Sequence, residues 1–83
     1  MSEVIVYGAD WCGDCRRSEA LLKALNVKYE KRDVEQSAEY TEEARGISGR
    51  TNIPVILFAD GKHLVEPSDA ELSAELKVRG IIS

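Results

Sequence analysis

Apolar residues gather in short runs that alternate with segments of helical spacing. In Glu3 to Gly8, EVIVYG, the residues Val4, Ile5, Val6 and Tyr7 are continuous rather than alternating, the pattern of an interior strand covered on both faces. Gly8, Ala9 and Asp10 break that run. From Cys12 to about Asn26 the spacing is helical: Ser18, Leu21, Leu22 and Leu25 share one face, Cys15 lies near its edge one turn earlier, and Arg16, Glu19 and Lys23 point away. Val27 to Val34 reads as a second, half-exposed strand. Ser37 to about Ser48 predicts a second helix with Tyr40, Ala44 and Ile47 buried and Gly49 just past its end. Pro54 to Ala59 is a third strand, opened by a proline that has no N–H for a central ladder. Asp60-Gly61 signals a hairpin turn into His63 to Val65. Ser68-Asp-Ala-Glu71 has the spacing of a capping box, so a last helix runs from Asp69 to about Arg79 with a thin stripe, Leu72 and Leu76.

The order β-α-β-α-β-β-α predicts an α/β fold. The first two strands are parallel with a right-handed crossover and the last two form an antiparallel hairpin. The result is a mixed four-stranded sheet with helices on both faces. No linker, repeat or low-complexity tract interrupts the 83 residues, so residues 1–83 are expected to form one small domain.

Charge narrows the partners. The net charge of −4 argues against nucleic acid and against an anionic membrane surface, both of which need a basic face. The longest apolar run, Ile53 to Ala59, is far shorter than the ~20 residues a membrane helix needs. The first ten residues, MSEVIVYGAD, show no basic leader, so a cytoplasmic location is expected.

Both cysteines lie in one stretch, GADWCGDCRR, beside the only tryptophan. A structural disulfide would close a tiny loop in a reducing compartment. A zinc site needs four ligands, and the chain offers two cysteines and His63, so no metal is expected. The remaining reading is redox, and the context supports it: the pair falls at the first strand-to-helix junction of a βαβ unit. Unpaired N–H groups and the positive end of the macrodipole favour an anion there. Cys12 is thus expected to be the exposed nucleophile and Cys15, one turn in, the resolving thiol. Arg16 and Arg17 favour the thiolate, and Asp10 and Asp14 oppose it. Cys12 would attack a disulfide, and Cys15 would then attack Cys12 and release the reduced substrate.

With these elements placed, Val4-Ile-Val-Tyr7, Trp11-Cys12-Gly-Asp-Cys15-Arg16, Tyr29-Glu30, Asp33-Val34 and Ile53-Pro54-Val55 resemble the glutaredoxin branch of the thioredoxin superfamily over nearly the whole chain. Members that use glutathione carry a Gly-Gly and an acidic residue before the last helix. Here that region reads Asp60-Gly-Lys-His-Leu-Val-Glu-Pro-Ser68, which, with the Asp-Trp-Cys before the pair, is similar to mycoredoxins. Those use mycothiol, a cysteinyl sugar–inositol without a carboxylate.

The resemblance implies a thiol–disulfide oxidoreductase that reduces protein disulfides or mixed disulfides. It implies no tightly bound cofactor. The reductant is a low-molecular-weight thiol, mycothiol before glutathione, regenerated by an NADPH-dependent reductase. The resemblance implies a cis bond before Pro54, with the Ile53 backbone pairing with substrate in an extended contact. It also implies a substrate surface made by Trp11, Gly13, Asp14, Arg16, Ile53, Pro54, Ser68 and Asp69, on a monomer. Two other readings use the same residues: a thioredoxin-like redoxin reduced directly by a flavin reductase, and an iron–sulfur carrier ligated through Cys12 and a small thiol from each of two subunits. His63 is expected on the surface, the acidic run Glu39, Glu42 and Glu43 on a solvated helix face, and Tyr7 and Phe58 in the core.

Overall fold

The continuous apolar run of β1 (Val4–Gly8) sits inside the sheet for the reason its pattern implies: helices cover both of its faces. A computed structural model describes residues 3–83 of the chain. After β1 come α1 (Gly13–Ala24), β2 (Glu30–Asp33), α2 (Ala38–Ser48), β3 (Val55–Phe58), β4 (His63–Val65) and α3 (Asp69–Val78). The strand order is β2-β1-β3-β4. β1 pairs in parallel with β2, with Ile5 opposite Glu30, and antiparallel with β3, with Val6 opposite Ile56. β3 and β4 form the antiparallel hairpin, with Ile56 opposite Leu64.

Two apolar layers follow from the alternation of side chains along β1. Val4 and Val6 join Ile56, Phe58, Leu22 of α1, and Leu72 and Leu76 of α3. Tyr7 and Val55 meet Ala44 of α2 on the other face, with Tyr40 and Ile47 packed around them. The thin stripe of α3 suffices because both of its leucines are completely buried. Burying one such side chain contributes about 1.5–3 kcal/mol.

Three local readings differ from the sequence expectation. First, Cys12 has extended backbone (φ −81°, ψ 115°) and caps α1, which starts at Gly13 rather than at Cys12. Second, β2 begins at Glu30 rather than Val27. Val27 instead closes α1: its N–H donates to the Leu22 carbonyl at 2.9 Å, and Asn26, at φ 58°, donates to Lys23 at 3.0 Å. This is a Schellman closure with asparagine in the left-handed position, and it uses the apolar residue that follows to cover the helix end. Third, Glu19 does not point to solvent; it is buried at 8% exposure. At 100° per residue it lies only roughly 40° around α1 from Cys15, so helical geometry places it on the buried face despite its charge.

The Asp60-Gly61 turn forms as a three-residue loop, Ala59 to Gly61. Phe58 N–H donates to Lys62 at 2.9 Å and Gly61 takes φ 90°, a conformation that favours glycine. The capping box of α3 closes in both directions: Glu71 N–H donates to Ser68 Oγ at 3.1 Å and Ser68 N–H to Glu71 Oε1 at 3.0 Å. Ser68→Ala should therefore lower stability by about 1 kcal/mol in urea unfolding; an unchanged midpoint would show that the cap does not hold α3.

Candidate active site

The turn from β1 into α1 brings both thiols to one end of the sheet. Cys12 N–H donates to the Ala9 carbonyl at 3.2 Å, which closes the turn. Cys12 then occupies the N-cap of α1, and its Sγ accepts the Cys15 N–H at 3.2 Å. The sulfur thus fills the place that a serine or aspartate oxygen takes in other helices, at the positive end of the macrodipole. Ala9, Val34 and Ile53 pack around the pair. Cys12 is only 8% exposed, so the expected exposed nucleophile is recessed. Capping explains this: a side chain that folds back onto its own helix N-terminus turns away from solvent.

Cys15 is completely buried. It fits there because Gly8 at the end of β1 lacks a side chain: a Cβ on Gly8 would lie 2.9 Å from Cys15 Sγ and 3.1 Å from Cys15 Cβ. Burial pushes the Cys15 thiol up to about 12, and its hydrogen bond with Cys12 and the charge of Glu19 add to the shift. Both cysteines are free thiols.

From the other side comes Ile53. The Ile53–Pro54 peptide bond is cis, as the resemblance implies, and Pro54 is buried. The Ile53 carbonyl oxygen lies 3.9 Å from Cys12 Sγ. Asn52 and Glu66 hold this segment. Glu66 N–H donates to the Pro54 carbonyl at 2.9 Å, and Asn52 Nδ2 donates to Glu66 Oε1 at 2.6 Å. Glu66 does this at φ 48°, a left-handed backbone rare for a residue other than glycine. Neither Asn52 nor Glu66 was expected at the site from sequence; the signal was the missing second glycine before the last helix.

The other predicted residues divide among three places. Trp11 is 68% exposed and donates from Nε1 to Glu35 at 2.8 Å. With Ile53 it walls a groove of about 320 Å³, also lined by Thr41, Arg45, Arg50, Thr51 and Asn52. Gly13 and Arg16 face a separate, shallower groove of about 750 Å³, shared with Asp10, Glu19 and Lys31. Asp14 and Asp69 meet through Arg17, which lies 2.9 Å from Asp14 and 3.6 Å from Asp69 and donates to the Pro67 carbonyl at 3.4 Å, while Ser68 is engaged in capping α3.

The charge balance around Cys12 also changes. Lys31 bonds to Asp10 and holds its carboxyl below the usual range, and Arg17 offsets Asp14. Neither aspartate acts as a free charge against the thiols. Among the described residues no cluster of three metal-ligating side chains occurs. Glu39, Glu42 and Glu43 lie on an exposed helix face as expected, and Glu43 also accepts from Tyr7 at 2.8 Å and from Arg32 at 2.6 Å.

Comparison with known proteins places this geometry. The Glutaredoxin family model matches residues 4–64. Mycoredoxin 1 of Corynebacterium glutamicum is 35% identical over 79 residues, spanning 93% of this chain and 96% of that protein. The crystal structure of a glutaredoxin from Archaeoglobus fulgidus superposes with a TM-score of 0.78 at 29% identity, covering 89% of this chain and 85% of that one. A buckwheat glutaredoxin–glutathione complex shares the fold, with a TM-score of 0.72 at 21% identity over 99% of this chain and 83% of that one.

A buried thiol held protonated has a thermodynamic signature. Between the ordinary thiol value of 9.0 and about 12, folded Cys15 keeps a proton that the unfolded chain has lost. Its stabilising contribution is therefore complete below pH 9 and disappears as pH rises toward 12, with a slope approaching about 1.4 kcal/mol per pH unit. Denaturant unfolding of the reduced protein should steepen above pH 9, and Cys15→Ser should remove that part of the slope while the parallel contribution of Tyr29, also pushed up to about 12, remains. Identical slopes in the two proteins would contradict the assignment.

Proposed function

The chain belongs to the glutaredoxin family and is a thiol–disulfide oxidoreductase, a class that works with low-molecular-weight thiols on disulfide substrates; on that premise we propose a dithiol mechanism with Cys12 as nucleophile, Cys15 as resolving thiol and mycothiol as reductant. The observation that carries the mechanism is the asymmetry of the pair. Cys12 Sγ caps α1 and lies beside the open Ile53 backbone, whereas Cys15 is sealed behind it and disfavoured as a thiolate. The Cys12 thiolate attacks the substrate disulfide and expels one thiol. Cys15 then attacks Cys12 Sγ, expels the second thiol and leaves the Cys12–Cys15 disulfide. Two molecules of the small thiol restore the dithiol, and an NADPH-dependent reductase regenerates that thiol.

Support for mycothiol comes from the relative and from the groove. Mycoredoxin 1 matches across nearly the full length of both chains. The groove beside Cys12 offers hydroxyl and amide groups at Thr41, Thr51 and Asn52 and an exposed indole at its rim, partners for a sugar–inositol rich in hydroxyl groups, alongside Arg45, Arg50 and Glu35. Glu66, in place of glycine before α3, adds a negative charge beside Asn52 that disfavours the carboxylates of glutathione. Trp11 and Ile53 are the substrate contacts this reading uses, with Pro54 next to Ile53; Gly13 and Arg16, in the separate groove, and Asp14, Ser68 and Asp69, around Arg17 and the start of α3, are reserved for the larger protein substrates. No helix among the described residues is long and apolar enough to cross a membrane, and we place the enzyme in the cytoplasm as a single-domain monomer.

The test is a donor exchange. Oxidised protein is offered mycothiol with its reductase, glutathione with its reductase, or thioredoxin reductase alone, each with NADPH. Turnover should require mycothiol; turnover with glutathione alone or thioredoxin reductase alone would overturn this choice of reductant. In the same assay Cys12→Ser should lose activity by at least about a hundredfold. Cys15→Ser should keep monothiol reduction of small mixed disulfides, and an active Cys12→Ser would refute the nucleophile assignment.

A further inference from the structure

Resolution requires the Cys15 thiol to surrender its proton as its sulfur attacks. That thiol is completely buried. Among the described residues, the one buried side chain with a formal charge is Glu19. It follows Cys15 by one turn of α1 on the same buried face, and residues spaced in this way have Cβ atoms about 5–6 Å apart. Ser18 lies beside it on that face, with a completely buried hydroxyl that has no hydrogen-bond partner. A buried hydroxyl without a partner is unusual, since such groups are nearly always satisfied.

The outer side of Glu19 meets the surface. Its carboxylate accepts the Tyr29 O–H at 2.9 Å and pairs with Lys31 Nζ at 3.4 Å. It also contributes to the shallow groove of about 750 Å³ lined by Asp10, Arg16 and Lys31. The carboxylate contacts Tyr29 from the segment before β2 and Lys31 from β2; Asp10 lies beyond Lys31, Arg16 lines the same groove, and Cys15 precedes Glu19 by one turn. Glu19 thus spans from the face that holds the resolving thiol to solvent.

We propose that Glu19 is the proton acceptor for Cys15 in the resolving step. The inference rests on the dithiol mechanism above. The Cys15 S–H proton moves to the Glu19 carboxylate, one turn along the buried face of α1. The freed electron pair on sulfur forms the Cys12–Cys15 bond. The bond between Cys12 and the substrate sulfur breaks, and its electron pair leaves on that sulfur. Glu19 then returns the proton to water at the groove.

Charge and proton transfer predict opposite outcomes, which makes the test decisive. The negative charge of Glu19 disfavours the Cys15 thiolate, so a purely electrostatic role means that Glu19→Gln speeds resolution. Loss of a proton acceptor slows it. Reduced protein is mixed with excess 5,5′-dithiobis(2-nitrobenzoate) in a stopped-flow instrument between pH 6 and 9. The first, concentration-dependent release of aryl thiolate reports attack by Cys12. The second, concentration-independent release reports resolution by Cys15. Glu19→Gln should slow the second phase about tenfold or more at pH 7, with the deficit shrinking as pH rises and hydroxide takes over. Glu19→Asp, which draws the carboxylate back by one methylene, should give an intermediate rate. A second phase at the wild-type rate or faster in Glu19→Gln overturns the proposal. If circular dichroism shows that Glu19→Gln does not fold, a wild-type rate in Glu19→Asp does so instead. Absence of a second phase in the wild-type protein refutes the dithiol mechanism itself, a result separate from failure of the Glu19 role.

Discussion

Cys15 can sit at the end of β1 because residue 8 has no side chain. The Cβ of any other residue there would press into the Cys15 sulfur, and the arrangement of the site depends on this fit. With Cys15 seated against the strand, α1 starts at Gly13 and Cys12 falls on the N-cap. Gly8 also takes part in the sheet: it pairs with Asp33, and its carbonyl accepts the Val34 N–H at 3.0 Å, which brings Val34 alongside the cysteines. The segment leading into β3 enters from the opposite side and brings Ile53 to Cys12. The thiols therefore occupy the carboxyl end of two parallel strands, where open α/β sheets place their ligand crevices.

From that seat two chemically equal thiols become unequal. Cys12 lies at a helix start, where backbone N–H groups converge. Cys15 lies in an apolar wall, where a charge is poorly solvated and the proton is retained. In the proposed mechanism the order of the two attacks follows from this difference rather than from the sequence of the loop between them. The surrounding charges are largely matched in pairs, Asp10 with Lys31 and Asp14 with Arg17. Exposed pairs of this kind contribute little to stability. Their effect is to remove two negative charges that would otherwise oppose a thiolate.

The strand and helix order was legible because each element carried a local signal: a continuous apolar run for β1, a capping box for α3, Gly49 ending α2 and a proline opening β3. The meeting of Cys12 and Cys15 at a strand-to-helix junction was legible from their spacing and from the element order. Features set by packing were not. Val27 has the composition of a strand residue and was taken for one, yet it closes α1, a choice decided by where the chain turns at Asn26. The helical spacing of the leucine stripe predicts Glu19 on the solvent side, yet it is buried on the Cys15 face; the burial becomes tolerable because Tyr29 and Lys31 arrive from distant sequence. The recession of Cys12 depends on the cap hydrogen bond, which periodicity does not report. Glu66 stands in a backbone conformation that favours glycine, and its one mark in the sequence is the glycine missing before α3.

The central claim is the inequality of the two thiols, and selective alkylation tests it most directly. Fully reduced protein is treated with limiting iodoacetamide near neutral pH, and the label is located by peptide mass spectrometry. The account predicts modification at Cys12, with Cys15 untouched until the protein is unfolded. Equal labelling of the two residues, or faster labelling of Cys15, would contradict it.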